Sequence, residues 1–169
     1  FRSRGISLRG FRQVGRRPVV VLSRDAAIFK PPSGAWSILE IVNHLADEES
    51  RDFRTRTRLT LESPREPWPR IDPTRWPAEE RYGERDLDES VARFCAERRD
   101  SIRWLRSLVN PDWSTAHDHP RAGPVTAGSL LGAWAAHDAL HLRQIAKRLY
   151  ELAGRDSGQS VKYAGEWGP

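Results

Sequence analysis

A chain of 169 residues, 30% charged and 38% hydrophobic, is long enough to bury a core as one folded domain and too apolar to be intrinsically disordered. No apolar run approaches the ~18 residues of a membrane span, and no signal-peptide core opens the chain. The single cysteine, Cys95, allows no internal disulfide, which fits a cytoplasmic protein.

The net charge of +5 is unevenly placed. Residues 1–30 hold seven Arg and one Lys against Asp25 alone, a net +7, so the remaining 139 residues sum to −2. An arginine-rich arm on a nearly neutral body is weak support for nucleic-acid binding, which would need a basic, aromatic-studded folded face. The chain contains no Met, so Phe1 is not expected to be the native start.

In chain order, residues 1–33 form a basic segment that reads two ways. Pro18 suits the first turn of a short helix running to Phe29, while Val19, Val20 and Val21 suit a strand. From Ser37 the pattern is clear. Ser37-Ile38-Leu39-Glu40 fits a capping box, and Trp36 is placed to staple onto Ile41. Ile38, Ile41, Val42, Leu45 and Leu59 carry a helical stripe to about residue 62. Pro64, Pro67, Pro69, Pro73 and Pro77 then require an extended loop, with Trp68 and Trp76 as its anchors. A second helix is expected from Asp86, with Glu89 three residues on, to about Leu108, where Asn110-Pro111 stops it. A loop with Pro120, Gly123 and Pro124 carries His117 and His119, read as solvent-facing or locally hydrogen-bonded. Thr126 caps a last helix bearing Leu130, Leu131, Trp134, Leu140, Ile145 and Leu149 and fading near Gly154. The tail to Trp167 reads as irregular with aromatic anchors. The fold class is all-α, with residues 34–169 as the folded body.

The chemistry sits in the last helix. His137 and His141 are four residues apart, about 40° on a helical wheel, on the side of Leu130, Trp134 and Ile145. One inward histidine is commonly a hydrogen-bonded core residue. Two on one apolar face are costly unless something pairs with both rings, which a metal ion does. The spacing is not the HExxH of zinc proteases, because position 138 is Asp. Upstream, His44 lies at the edge of its stripe, where a seam between helices would fall. In the middle helix Arg98 falls near the centre of the stripe formed by Leu87, Val91, Phe94, Ile102, Leu105 and Val109. Either it meets facing carboxylates, for which Glu48 and Asp52 lie on the inner side of their helix, or its stem reaches out to solvent. Cys95 reads as a small core hydrophobe.

Trp36-Ser37, Glu40-Ile41 and His44-Leu45-Ala46-Asp47-Glu48-Glu49 resemble the second helix of the DinB-like (DinB/YfiT) superfamily. Gly128 to Trp134 with His137-Asp138-Ala139-Leu140-His141-Leu142-Arg143-Gln144 resemble its last core helix. The stretch from Arg98 to Leu105 and the closing Ala164-Gly165-Glu166-Trp167 are similar as well. The resemblance implies a four-helix bundle with a crossover connection, often dimeric. It also implies a divalent metal, commonly nickel or zinc and sometimes iron, held by His44, His137 and His141. Related activities include metal-dependent transfer and isomerisation with small thiol co-substrates. An amphipathic first helix before Trp36 would complete the pattern, and this chain has an arginine-rich stretch there instead.

Three protein ligands leave an open position for water or a small-molecule substrate, the arrangement of catalytic sites. The expected function is that of a metal-dependent transferase or hydrolase, or else of a non-catalytic, metal-stabilised binding or dimerisation module. Glu48, one turn after His44, is the candidate base, and Arg98 the candidate anchor for an anionic substrate.

Overall fold

The computed structural model describes residues 22–168 and the backbone of residues 11–14 and 17–20. Most of the folded body is three long helical runs. Helix α2 (Ile38–Asp47) passes through a π-helical segment (Glu48–Phe53) into α3 (Arg54–Glu62), and α5 (Leu87–Ser107) and α6 (Ala127–Ser157) pack around this run. The fold class is all-α, as the periodicity required.

The helix starts are set by side-chain caps. Ser37 Oγ accepts from the Glu40 N–H while the Glu40 carboxylate accepts from the Ser37 N–H, which completes the capping box. Asp86 and Thr126 cap α5 and α6 by accepting from the N–H groups of Glu89 and Ser129. Helix α6 passes the expected fade at Gly154 and stops at Gly158, whose φ of 62° supplies the left-handed C-terminal turn.

Before α2 the structure resolves the ambiguous segment in favour of the valines. Strand β1 (Phe11–Val14) pairs antiparallel with β2 (Arg17–Val20), with Phe11 opposite Val20 and Val14 opposite Arg17. The helix expected to run from Pro18 to Phe29 is reduced to one turn, α1 (Arg24–Ala27), capped by Ser23. The expectation for residues 1–10, 15, 16 and 21 lies outside the described residues. Ala26 of α1 still joins the core with Ile38, Val42 and Leu152, and Leu22, Phe29, Leu87 and Ile145 pack against it.

The proline-rich segment contains one short helix, α4 (Trp76–Glu79), in which Pro77 occupies the first turn, the one place a helix accepts it. Its anchors are real. Trp76 is buried under the Arg51 guanidinium, and Trp68 stacks on His117 at 4.4 Å between ring centroids. The expected loop around His117 and His119 is a hairpin, β3 (Ala116–His119) against β4 (Gly123–Thr126). His117 is buried rather than solvent-facing, and its Nδ1 lies 3.0 Å from the carbonyl oxygen of Pro64, 53 residues away. His119 is a local hydrogen-bonder, accepting from the Arg121 and Ala122 N–H groups. Cys95 is only half-buried and is not a core residue. The tail is anchored as expected, with the Tyr150 hydroxyl donating to the Gly165 carbonyl and its ring against Trp167.

Helix α2 and the first two residues of the π-helical segment, Glu48 and Glu49, are buried on all sides, polar residues included. This requires partners for its polar groups. Asn43 donates to Ser90 of α5 and accepts from Arg85, and Asp47 accepts from Tyr82 and Arg93. A helix so enclosed holds whatever it carries in fixed positions against its neighbours.

Candidate metal centre

His44 on α2 meets His137 and His141 on α6. The ring centroids of His44 lie 5.4 and 4.7 Å from those of His137 and His141, which are themselves 4.3 Å apart. One ligand atom from each ring falls within 4.8 Å of the others, so the three could hold a single metal ion. The pair on α6 converges because residues four apart sit one turn above another, and their Nε2 atoms are 3.0 Å apart.

The chemistry of these donors fits a metal. His141 and His44 are buried and His137 half-buried. Burial, with the neighbouring rings, lowers the pKa of His44 to about 3 and of His137 to about 4, and burial lowers that of His141 too. All three are neutral at pH 7 and offer lone pairs. The Nδ1 of His44 is buried without a hydrogen-bond partner, a costly arrangement for a group with no role. On His141, Nδ1 lies 2.9 Å from Gln144 Oε1; as the donor there, it leaves the Nε2 lone pair facing the site.

Aromatic rings wall the centre. Trp36 lies parallel to His141 at 6.4 Å and 4.8 Å from His44; Trp76 backs His44; Phe53 sits 5.1 Å from His137 and stacks on Trp134. Such walls restrict solvent and hold the imidazoles in place.

Two adjacent carboxylates leave the π-helical segment in different directions. Glu48 turns toward the histidines, with Oε1 3.9 Å from His44 Nε2. Burial and then the neighbouring Asp52 raise its pKa to about 8, so it holds a proton at neutral pH. Asp52 itself pairs with Arg56 at 2.9 Å. Glu49, almost fully buried, turns to the other side and binds Arg98, with two contacts of 2.8 Å, and the Trp134 indole N–H at 2.8 Å.

Arg98 therefore does meet carboxylates, though not the two expected. Its Nε and Nη2 engage Glu49, and Nη1 and Nη2 donate to both oxygens of Asp138 at 2.7 and 2.9 Å. Asp138 adjoins His137 in sequence, and Glu49 lies five residues beyond His44. The guanidinium thus clamps the two histidine-bearing helical runs from α5. Its pKa is raised further, first by the bond to Asp138. Sequence reasoning missed Glu49 and Asp138, although a signal existed. Glu49 follows Leu45 by four residues and Val42 by seven, which places a carboxylate on the apolar line. Asp138 follows Trp134 by four.

The match to known proteins agrees with this geometry. Residues 12–145 match the model of the DinB superfamily. The chain belongs to that superfamily. Over 132 residues it is 27% identical to a protein of Oceanobacillus iheyensis whose name provisionally calls it a metal-dependent hydrolase, covering 77% of this chain and 74% of that one. Its fold is similar to that of YfiT from Bacillus subtilis, described as a probable metal-dependent hydrolase with an unusual four-helix bundle topology. That likeness has a TM-score of 0.66 at 22% identity and covers 83% of this chain and 77% of the other. Among the described residues no helix is long and apolar enough to cross a membrane.

Proposed function

We propose that this member of the DinB superfamily is a metal-dependent hydrolase of a small-molecule substrate, with His44, His137 and His141 as ligands of one divalent ion. The observation that carries the reading is the convergence of three neutral imidazoles, one with an orphaned buried nitrogen, on a single point. The names given to the Oceanobacillus and Bacillus relatives favour hydrolysis over other metal chemistry. Nickel, zinc and iron(II) all suit three imidazoles. When bound, such an ion supplies Lewis-acid polarisation of an acyl or phosphoryl oxygen and lowers the pKa of water.

The chain's own groups have distinct tasks in this reading. Gln144 fixes the tautomer of His141. Trp36, Trp76 and Phe53 limit water around the rings. Glu48, protonated at neutral pH and 3.9 Å from His44 Nε2, is the group placed to give and take back a proton beside His44. Arg98 is a positioning residue: its donors are taken up by Glu49 and Asp138, leaving it poorly suited to anchor a substrate. The centre lies within residues 34–169, and the compartment proposed for the protein is the cytoplasm.

Zinc, nickel or iron(II) added to metal-stripped protein should produce turnover on a panel of small esters, amides and phosphoesters. Glu48→Gln should retain the metal and lose roughly a hundredfold in kcat. A thiol transferase would show turnover only with added thiol, and that outcome would replace the hydrolase reading. No turnover with any of the three metals, with or without thiol, would overturn it.

A further inference from the structure

A second buried arginine lies two turns beyond the histidines. Arg148 follows His141 by seven residues on α6, so it shares the same helix face and stands about 10 Å along the axis. Its side chain is only 5% exposed, yet a single carboxylate engages it, that of Glu151 at Nη1, and its Nε is buried without a partner. Arg98 supplies the contrast within the same fold. It is more exposed, at 29%, and is held by two carboxylates. The more deeply buried guanidinium thus has the fewer acceptors, an arrangement that lacks one oxyanion.

The space for that oxyanion lies beside it. Arg148 and Gln144 form one wall of an open cavity of about 330 Å³ whose other lining residues are Gly34, Ala35, Trp36 and Ile41. The cavity adjoins the histidine cluster through two of these residues. Gln144 is hydrogen-bonded to His141, and Trp36 stacks on it. Gly34, at φ 74°, turns the chain back so that the loop carrying Trp36 closes over the cavity. One wall is therefore cationic and the others carry an indole and an aliphatic side chain, while the three histidines lie behind Trp36 and Gln144 and do not line the cavity.

We propose that this cavity, beside the histidine cluster, binds a small carboxylic acid with an apolar body, and that Arg148 holds its carboxylate. The inference goes beyond the hydrolase reading and does not rest on it. A guanidinium with free donors recognises a planar carboxylate in two-point fashion, and Trp36 and Ile41 take up the apolar part. The volume of about 330 Å³ suits a ligand of modest size.

The test uses the full chain, stripped of metal, titrated calorimetrically with hydrocinnamate, with its uncharged isostere hydrocinnamamide, and with inorganic phosphate. Hydrocinnamate should bind saturably and the amide at least about tenfold more weakly. Arg148→Met should cost hydrocinnamate a similar factor. Glu151→Gln should tighten binding, because it frees Nη1 and removes a competing negative charge. Equal binding of acid and amide, or an Arg148→Met variant that binds like the wild type, would overturn the proposal. If Arg148→Met does not fold, a Glu151→Gln variant with unchanged or weaker affinity would do so. Phosphate binding that depends on Arg148 without hydrocinnamate binding would overturn the carboxylate assignment. Because the probe is read without metal, its failure leaves the three-histidine reading intact. Failure of metal binding would likewise leave a positive carboxylate result standing.

Discussion

Replacing Arg98 with Leu is expected to destabilise the fold by about 3 kcal/mol, the low end of the cost of breaking a buried ion pair. The low end applies because Arg98 and Asp138 are 29% and 26% exposed and part of their charge is solvated. Most of the loss comes from Glu49, whose side chain is 1% exposed and would keep only the Trp134 indole as a partner. A carboxylate so enclosed must either remain charged without compensation or take up a proton. The urea midpoint should fall with little change in slope, since the same surface is exposed on unfolding. Glu49→Gln in the Arg98→Leu background should recover part of the loss, because it removes the orphaned charge. Metal affinity should fall about tenfold, as the clamp between the two histidine-bearing helical runs is released. A variant within 0.5 kcal/mol of wild type, about the range of an ordinary surface substitution, would show that Arg98 contributes nothing beyond a surface pair.

The metal-free protein is expected to lose stability steeply as pH falls from 6.5 toward 4. His44 and His137 titrate at about 3 and 4 in the fold against 6.5 when unfolded, and His141 is also lowered. Between these values the unfolded chain binds more protons, so stability rises with pH across this window and the contribution is complete above 6.5. Glu48 acts in the opposite sense. Its pKa of about 8 in the fold, against 4.5 unfolded, gives stability that is full below 4.5 and lost as pH rises through 8. Asp52 is raised as well, chiefly by burial. Between pH 4.5 and 6.5 the two imidazoles of His44 and His137 outnumber the one carboxyl of Glu48, a net excess of about one proton or ~1.4 kcal/mol per pH unit, to which His141 adds and from which Asp52 subtracts. Above 6.5 Glu48 still titrates, so the profile should peak near pH 6.5 and decline toward 8. Urea midpoints of chelator-treated protein across pH 4.5 to 8 read this directly. A flat profile, or a maximum below pH 5, would mean that the imidazoles are not held neutral by burial.

The local features were legible in the sequence because they are local. Ser37, Asp86 and Thr126 cap helices through bonds to residues three positions away, and the pairing of His137 with His141 follows from one helical turn. His44 was located by its seam position and by the family resemblance. What escaped was set by contacts between distant segments. Periodicity treats a helix as having one buried face, whereas α2 is enclosed all round, so the burial of Asn43, Asp47 and Glu49 depends on Ser90, Arg93, Tyr82 and Arg98 elsewhere in the chain. The hairpin carrying His117 is short and polar, with no alternation to announce it, and the burial of that ring depends on Trp68 and Pro64. The valines of β2 matched strand chemistry, but their partner strand is arginine- and glutamine-bearing and has no apolar pattern of its own.

The central claim is that His44, His137 and His141 hold one divalent ion. Elemental analysis of protein purified without a histidine tag tests it most directly, alongside alanine variants at each of the three positions and at His117. Roughly one ion per chain is expected in the wild type and in His117→Ala, and none in the other three variants. A wild-type protein that is metal-free and resists reloading at neutral pH, or a His137→Ala variant that keeps the same metal content, would contradict the claim.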